Sequence, residues 1–328
     1  MNGATYRDAR FWLLLACALF FLTALAIPQI KGTRNALDLL VVVDITGSMN
    51  TRDYTVKGEP VSRLDFVKTA LRQMLANLPC QSHLALGIFS ERRVFLLFDP
   101  VEVCANFAAP DGTMAALDWR EAWDGDSHIS VGLDRAIALA ADLHTDLVFM
   151  TDGQEAPPLP PVSRPAFESK PGTIKGLIVG VGGYELSPIP KFDKQGRETG
   201  FYGEHDVLQE SRFGLAPAGS ENREGYNPRN APFGAMKGGG SEHLSSVREA
   251  YLTELADNTG LSYSHLADES ALRDALQKAA TPHKTEVLLD RRPLFAAFGL
   301  ICLVLVYAMM PLLSRMRVYF KKAKPGVR

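Results

Sequence analysis

Apolar residues fall along the chain in two patterns, short unbroken runs and longer periodic ones. Residues 39–43 are Leu-Leu-Val-Val-Val, a β-branched stretch without a polar interruption, and predict a buried parallel strand. Leu147-Val148-Phe149-Met150 predicts a second such strand, and Ile174 to Gly182 a third that ends in glycines. Between the first two, Leu64, Val67, Leu71, Met74, Leu75 and Leu78 recur at helical spacing behind Ser62 and Asp65, a capping arrangement. His83–Phe89 and Val94–Phe98 read as a strand pair across a polar turn at Glu91 and Arg92. A helix is expected from about Val131 to Leu143 and another over Tyr251 to Asn258, stopped before Gly260. A short strand over Leu261–Leu266 and a helix over Ala271–Ala279 complete the series. This alternation predicts an α/β fold, with a doubly wound, mostly parallel sheet and helices on both faces.

Two further apolar runs are too long and too free of charge for strands. Phe11 to Ile27 is uncharged, follows Arg7 and Arg10, and stops at Pro28. It predicts a transmembrane helix, as a signal-anchor or as a signal cleaved near Ala24-Leu25-Ala26. Leu294 to Leu313 is a second uncharged run, followed by Arg315, Arg317, Lys321, Lys322, Lys324 and Arg328 without an acidic residue. The positive-inside rule places that tail in the cytoplasm. The expected order is a cytoplasmic N-terminus over 1–10, a span over 11–27 and a soluble domain over 35–280. A span over 294–313 and a basic cytoplasmic tail over 314–328 follow. The soluble domain then lies on the outer face of a bacterial inner membrane, in the periplasm. A length of 328 residues suits one large α/β domain plus these extras, and a net charge of −2 gives no electrostatic case for nucleic acid.

Cysteine usage agrees with that compartment. Cys17 and Cys302 lie in the apolar spans, where a small apolar side chain needs no special role. Cys80 and Cys104 flank the strand pair symmetrically about residue 92, so antiparallel pairing brings them to one end of it. A structural disulfide is expected there, at the sheet end opposite Asp44.

The chemistry concentrates where the first strand stops. Asp44, Thr46 and Ser48 follow the apolar run at alternate positions, so one carboxylate and two hydroxyls can surround a point beyond the strand's carboxyl end. Such oxygen donors suit a hard divalent cation that keeps waters, Mg²⁺ above all, with Ca²⁺ or Mn²⁺ as alternatives. Asp44-Ile45-Thr46-Gly47-Ser48 resembles the D-x-[ST]-x-S signature of the metal-ion-dependent adhesion site in von Willebrand factor A domains. That resemblance implies two more pieces. Ser127, in Ser127-His128-Ile129-Ser130-Val131-Gly132-Leu133, fits the expected hydroxyl before a helix, and Asp152, in Thr151-Asp152-Gly153, fits the expected aspartate after a buried strand. It further implies a non-catalytic module whose ion accepts an acidic side chain from a partner. Taken singly, a Thr-Asp-Gly turn is ordinary turn chemistry and Ser127 a helix cap.

Two enzyme readings share the local residues. Haloacid-dehalogenase-type phosphotransferases place Asp-x-Thr-Gly-[ST] after an apolar strand with Asp44 as nucleophile, but no companion lysine segment or nucleotide domain is evident here. Aspartic proteases use Asp-Thr-Gly-Ser, which Ile45 interrupts, and they need a second aspartate copy that is not found.

Two segments exceed a minimal domain of this kind. Pro157 to Pro171 is proline-rich and predicts an extended loop. Residues 184–240 form a Gly/Pro/polar insertion carrying Tyr184, Phe192, Phe201, Tyr202, Phe213, Tyr226 and Phe233, either a mobile surface loop or a partner-contacting excursion. Glu204-His205-Asp206 within it reads as polar loop. The paired spans, Asp44 to Asp53 and Pro60-Val61-Ser62-Arg63-Leu64 are similar to membrane-anchored bacterial A-domain proteins associated with MoxR-type ATPases. Among these, the likeness is to proteins that mature periplasmic quinoprotein methanol dehydrogenase. It implies help with Ca²⁺ insertion into that client, and contact with other membrane A-domain proteins or a MoxR-type ATPase. An envelope-stress scaffold of the aerotolerance type has the same layout.

Overall fold

A computed structural model describes residues 8–26, 29–122, 126–159, 167–193, 195–204, 206–207 and 240–312. The basic tail, Phe213, Tyr226, Phe233 and His205 lie outside the described residues. The chain divides into a unit over Asn35–His283 and a second unit made of the segments on either side of it.

In the larger unit, the unbroken apolar run forms β1 (Asp38–Asp44) at the centre of a six-stranded sheet. The remaining strands are β2 (His83–Ser90), β3 (Arg93–Glu102), β4 (Asp146–Thr151), β5 (Gly176–Gly180) and β6 (Ser262–His265), in the spatial order β6-β5-β4-β1-β2-β3. All pairings are parallel except β2 with β3. The chain leaves β1 to one side for β2 and later returns on its other side as β4. The carboxyl end of β1 is therefore the switch point at which open α/β sheets leave a crevice.

Alternation along β1 sorts its side chains into two layers. Leu39, Val41 and Val43 pack with Val67, Leu71 and Leu75 of α1 (Arg63–Asn77) and with Leu272 and Leu276 further along. Leu40 and Val42 pack with Leu133, Ala136 and Ile137 of α3 (Ile129–Leu143) and Leu252 and Leu255 of α4 (Glu249–Thr259). Leu272 and Leu276 belong to α5 (Glu269–Ala279), and a short α2 (Ala108–Ala116) precedes α3. Fully buried leucines such as Leu71 contribute most here, and truncating one to alanine costs about 2–5 kcal/mol. Gly132 of α3 faces the Phe89 ring of β2 so closely that a Cβ would overlap it.

The helix stripe begins at its expected cap: Ser62 Oγ accepts from Asp65 N at 3.1 Å and donates to Asp65 Oδ2 at 2.7 Å. At the amino edge of the sheet, Cys80 and Cys104 are joined by a disulfide. Asp38 stands at the same edge between two histidines, with Oδ1 2.9 Å from His83 Nδ1 and Oδ2 3.4 Å from His283 Nδ1.

The insertion departs from the expected structureless loop. Its described parts form strands, Ser187–Pro188 pairing with Leu244–Ser245 just beyond it and Pro190–Phe192 with Glu198–Phe201. Turn chemistry explains the second pairing. The Asp193 carboxylate accepts from Gln195 N and Arg197 N, and Gly196 takes a positive φ of 76°. Phe192 then stacks on Trp119 at 4.3 Å. A hairpin of Tyr54–Val56 and Glu59–Val61 is likewise absent from the periodicity, because its strands are only three residues long.

In the second unit, apolar helices cover Ala9–Ala26 and Arg292–Leu312, the latter passing through a π-helical turn at Leu305–Met309. Both are long and apolar enough to cross a membrane. The Phe20 and Phe298 rings stack at 5.5 Å. Gln29–Ala36 and His283–Asp290, which run from this unit into the larger one, pair as a two-stranded ribbon.

Candidate metal centre

Asp44 ends β1 in register with Phe89, and its carboxylate is fully buried. Oδ1 accepts from Thr46 N at 2.9 Å and Thr46 Oγ1 at 2.7 Å, while Oδ2 accepts from Thr151 Oγ1 at 2.6 Å. Burial, reinforced by the neighbouring Asp152 carboxylate, pushes the Asp44 pKa up to about 7 against the pull of those hydrogen bonds. After Thr46 the chain enters a short 3₁₀ turn, Gly47–Asn50, that carries Ser48.

Ser127 precedes α3 and is held by a two-way bridge to the loop after β4. Its N–H donates to the Ala156 carbonyl at 2.7 Å and its carbonyl accepts from Ala156 N at 2.8 Å. Its Oγ is buried and has no hydrogen-bond partner among the described residues. Thr46, Ser48 and Ser127 line one cavity of about 110 Å³ together with Gln154, Glu155 and Tyr202. Room of that size admits several waters.

Asp152 is placed differently from the three hydroxyl residues. Its Oδ1 accepts from Gln154 N at 2.9 Å, and its Oδ2 accepts from Arg63 Nη1 at 2.7 Å and Ser245 Oγ at 3.2 Å. Neither Asp44 nor Asp152 lines the cavity; they stand behind the hydroxyls as a buried anionic layer. The structure thus brings Thr46, Ser48 and Ser127 to one cavity, with Asp44 bonded to Thr46 and Asp152 bonded to an arginine. Cys80 and Cys104 lie at the other edge of the sheet, just outside His83 and Glu102, the paired ends of β2 and β3.

Arg63 is the functional residue that periodicity misses. It is the first residue of α1 and fully buried. Its Nε and Nη2 bond Asp53, with Nη2 2.6 Å from Asp53 Oδ2, and its Nη1 bonds Asp152 and Ser245 Oγ. Asp53 Oδ2 also accepts from Gly183 N at 2.8 Å. Gly182, at φ 117°, clears the guanidinium, since a Cβ there would come 2.6 Å from Arg63 Nε. A residue just after a helix cap is ordinarily solvated, so nothing in its local pattern marks it.

Among the described residues, no group of three or more His, Cys, Asp and Glu is arranged to hold an ion. The donors that fit one are hydroxyls. Ser127 Oγ supplies a buried acceptor unspent among the described residues, Ser48 and Thr46 line the same space, and the Asp44 and Asp152 carboxyl groups lie behind them. That donor set suits a hard cation with retained waters.

No protein-family model and no curated protein matches the chain. Solved structures do. An aerotolerance-related membrane protein from Bacteroides fragilis is 14% identical, with 74% of this chain and 98% of that one covered and a TM-score of 0.46. A von Willebrand factor type A protein from Catenulispora acidiphila is 12% identical, over 83% of this chain and 46% of that one, with a TM-score of 0.40. The manganese-loaded TRAP protein of Plasmodium vivax is 12% identical, over 80% and 82%, with a TM-score of 0.38.

Proposed function

We infer that the chain is a membrane-anchored binding module of the von Willebrand A type that captures a partner protein through a divalent cation. The observation that carries this reading is the convergence of Thr46, Ser48 and Ser127 on one cavity at the switch point, with Ser127 Oγ buried and unspent. A divalent cation held there would supply positive charge that an acidic side chain of the partner could bind. Thr46, Ser48 and Ser127 offer oxygens; Asp44 and Asp152 contribute charge from behind, through water. Mg²⁺ is the first choice for such a site, with Ca²⁺ or Mn²⁺ as alternatives.

The module acts by binding and makes or breaks no covalent bond. A phosphotransferase would need Asp44 as an accessible nucleophile. Its two oxygens are instead buried and bonded to Thr46 and Thr151, which supports a supporting role. The two apolar helices anchor the module, and their flanking charges assign it to the periplasmic face with both termini in the cytoplasm. By sequence likeness the client is periplasmic methanol dehydrogenase during maturation. A general envelope scaffold of the aerotolerance type fits the same geometry.

Affinity capture from periplasmic and membrane extract tests this. The full chain in detergent is the bait, with Mg²⁺, with chelator, and as Asp44→Ala and Ser48→Ala. A dehydrogenase subunit recovered only with metal and intact side chains supports maturation; other envelope proteins with the same dependence support the scaffold. Capture indifferent to metal and to both substitutions refutes the metal-bridged reading.

A further inference from the structure

Seven buried side-chain polar atoms lack a partner among the described residues, and three of them belong to side chains of the one cavity: Ser127 Oγ, Gln154 Oε1 and Glu155 Oε2. The residues are 3%, 6% and 8% exposed. Their orientations are fixed by what their other atoms do. Gln154 Nε2 donates to the carbonyls of Glu242 at 3.0 Å and Leu244 at 3.2 Å, which commits the amide and leaves Oε1 unspent. Glu155 Oε1 accepts from Tyr251 OH at 2.5 Å and from Ser130 N at 3.1 Å, which leaves Oε2 unspent. Ser127 is pinned beside Glu155 by its bridge to Ala156.

Three unspent oxygens of three chemical kinds, one of them on a carboxyl group, have no hydrogen-bond donor among the described residues. Buried polar atoms are almost always satisfied, and buried carboxylates are paired or bind metal. We propose that Ser127 Oγ, Gln154 Oε1 and Glu155 Oε2 form a calcium subsite in the wall of the cavity, distinct from the ion position between the three loops. Calcium is the ion these donors select. It accepts carboxylate, amide carbonyl and hydroxyl oxygens in irregular geometry, whereas Mg²⁺ demands a near-ideal octahedron and keeps most of its waters. The cavity leaves space for the waters that complete the shell. The subsite shares Ser127 with the three-loop site, but Gln154 and Glu155 are its own, so a change at Glu155 tests it without touching a donor of the three-loop site. Burial raises the Glu155 pKa in the metal-free protein, with Tyr251, Ser130 and His128 opposing that shift.

Calorimetric titration of the chelator-stripped full chain with Ca²⁺, for the parent, Asp44→Asn and Glu155→Gln, tests the subsite. Two Ca²⁺ per parent chain are expected, and Glu155→Gln removes one of them, weakening that event at least tenfold. Asp44→Asn is expected to keep the Glu155-dependent ion. A parent that binds a single Ca²⁺, with Glu155→Gln indistinguishable from it, overturns the subsite and leaves ordered water as the partner of these oxygens. Asp44→Asn binding both ions as the parent does refutes the three-loop site instead. Terbium emission excited through tyrosine needs no variant, because Tyr251 touches Glu155 directly. Emission displaced by Ca²⁺ and much less by Mg²⁺ is expected; absent emission, or equal displacement by both ions, overturns the proposal.

Discussion

Arg63 Nη1 lies 2.7 Å from Asp152 Oδ2, with neither side chain open to water. The same guanidinium spans Asp53 on its other side, so one cation fastens the start of α1 to the loop after β4 and to the segment after Asn50. A buried charge is tolerable only when it is paired and hydrogen-bonded, and here each nitrogen has an oxygen.

Removing Arg63 strands two buried carboxylates. Arg63→Ala is expected to lower unfolding stability by about 3–5 kcal/mol. Arg63→Lys is expected to restore little of it, because a point charge cannot reproduce the fork that grips Asp53 with two nitrogens. Denaturant titration of both variants measures this; a lysine variant as stable as the parent contradicts the fork argument.

Asp44 gives a pH dependence of known sign. Its pKa is about 7 in the folded metal-free chain, against an ordinary value of 3.8. Between those values the unfolded chain has lost the proton that the folded chain still holds, so stability falls as pH rises from about 4 to about 7 and is level beyond. The slope is at most ~1.4 kcal/mol per pH unit. Other carboxylates, such as Glu102, have lowered pKa values and act in the opposite sense. The measurement is therefore the difference between parent and Asp44→Asn in melts run with chelator. Metal affinity is expected to rise across the same window, since the ion requires the ionised carboxylate.

Ser127 separates binding from folding. Its Oγ makes no hydrogen bond among the described residues, and its backbone bridge to Ala156 does not depend on the side chain. Ser127→Ala is expected to change stability by no more than about 0.5 kcal/mol. Divalent-cation affinity is expected to fall by roughly tenfold, about 1.4 kcal/mol. Calorimetry and melting on one preparation check both halves.

The Cys80–Cys104 bond closes a loop with a sequence separation of 24. Replacing both cysteines with alanine is expected to cost about 3 kcal/mol, through freedom returned to the unfolded chain. Cation affinity should not change, because the bond sits at the edge of the sheet away from the cavity. A variant that melts normally but binds metal weakly would contradict that separation.

The sheet and the hydroxyl cluster were readable in the sequence because their signals are local. The apolar run into Asp44, the alternate placement of Thr46 and Ser48, and the stripe of α1 each lie within one element. Arg63 was not, because its partners Asp53, Asp152 and Ser245 are 10, 89 and 182 residues away. No window of periodicity spans such distances. Glu155 carries no local signal, since its burial depends on Tyr251 of α4 and on the amino end of α3. The strands inside the insertion escaped because two to four residues of Gly, Pro and polar type carry no period.

Asp38, held between His83 and His283, has a mechanical meaning. Asp38 begins β1 and His283 is the last residue of the larger unit, so the place where the chain enters that unit and the place where it leaves are in direct contact. Tension applied to both ends would load that junction together with the ribbon of Gln29–Ala36 and His283–Asp290, ahead of the sheet. The cavity lies past the far end of β1, seven residues or roughly 23 Å along the strand. Pulling on the ends would therefore leave the cavity's geometry unstrained until the junction gave way.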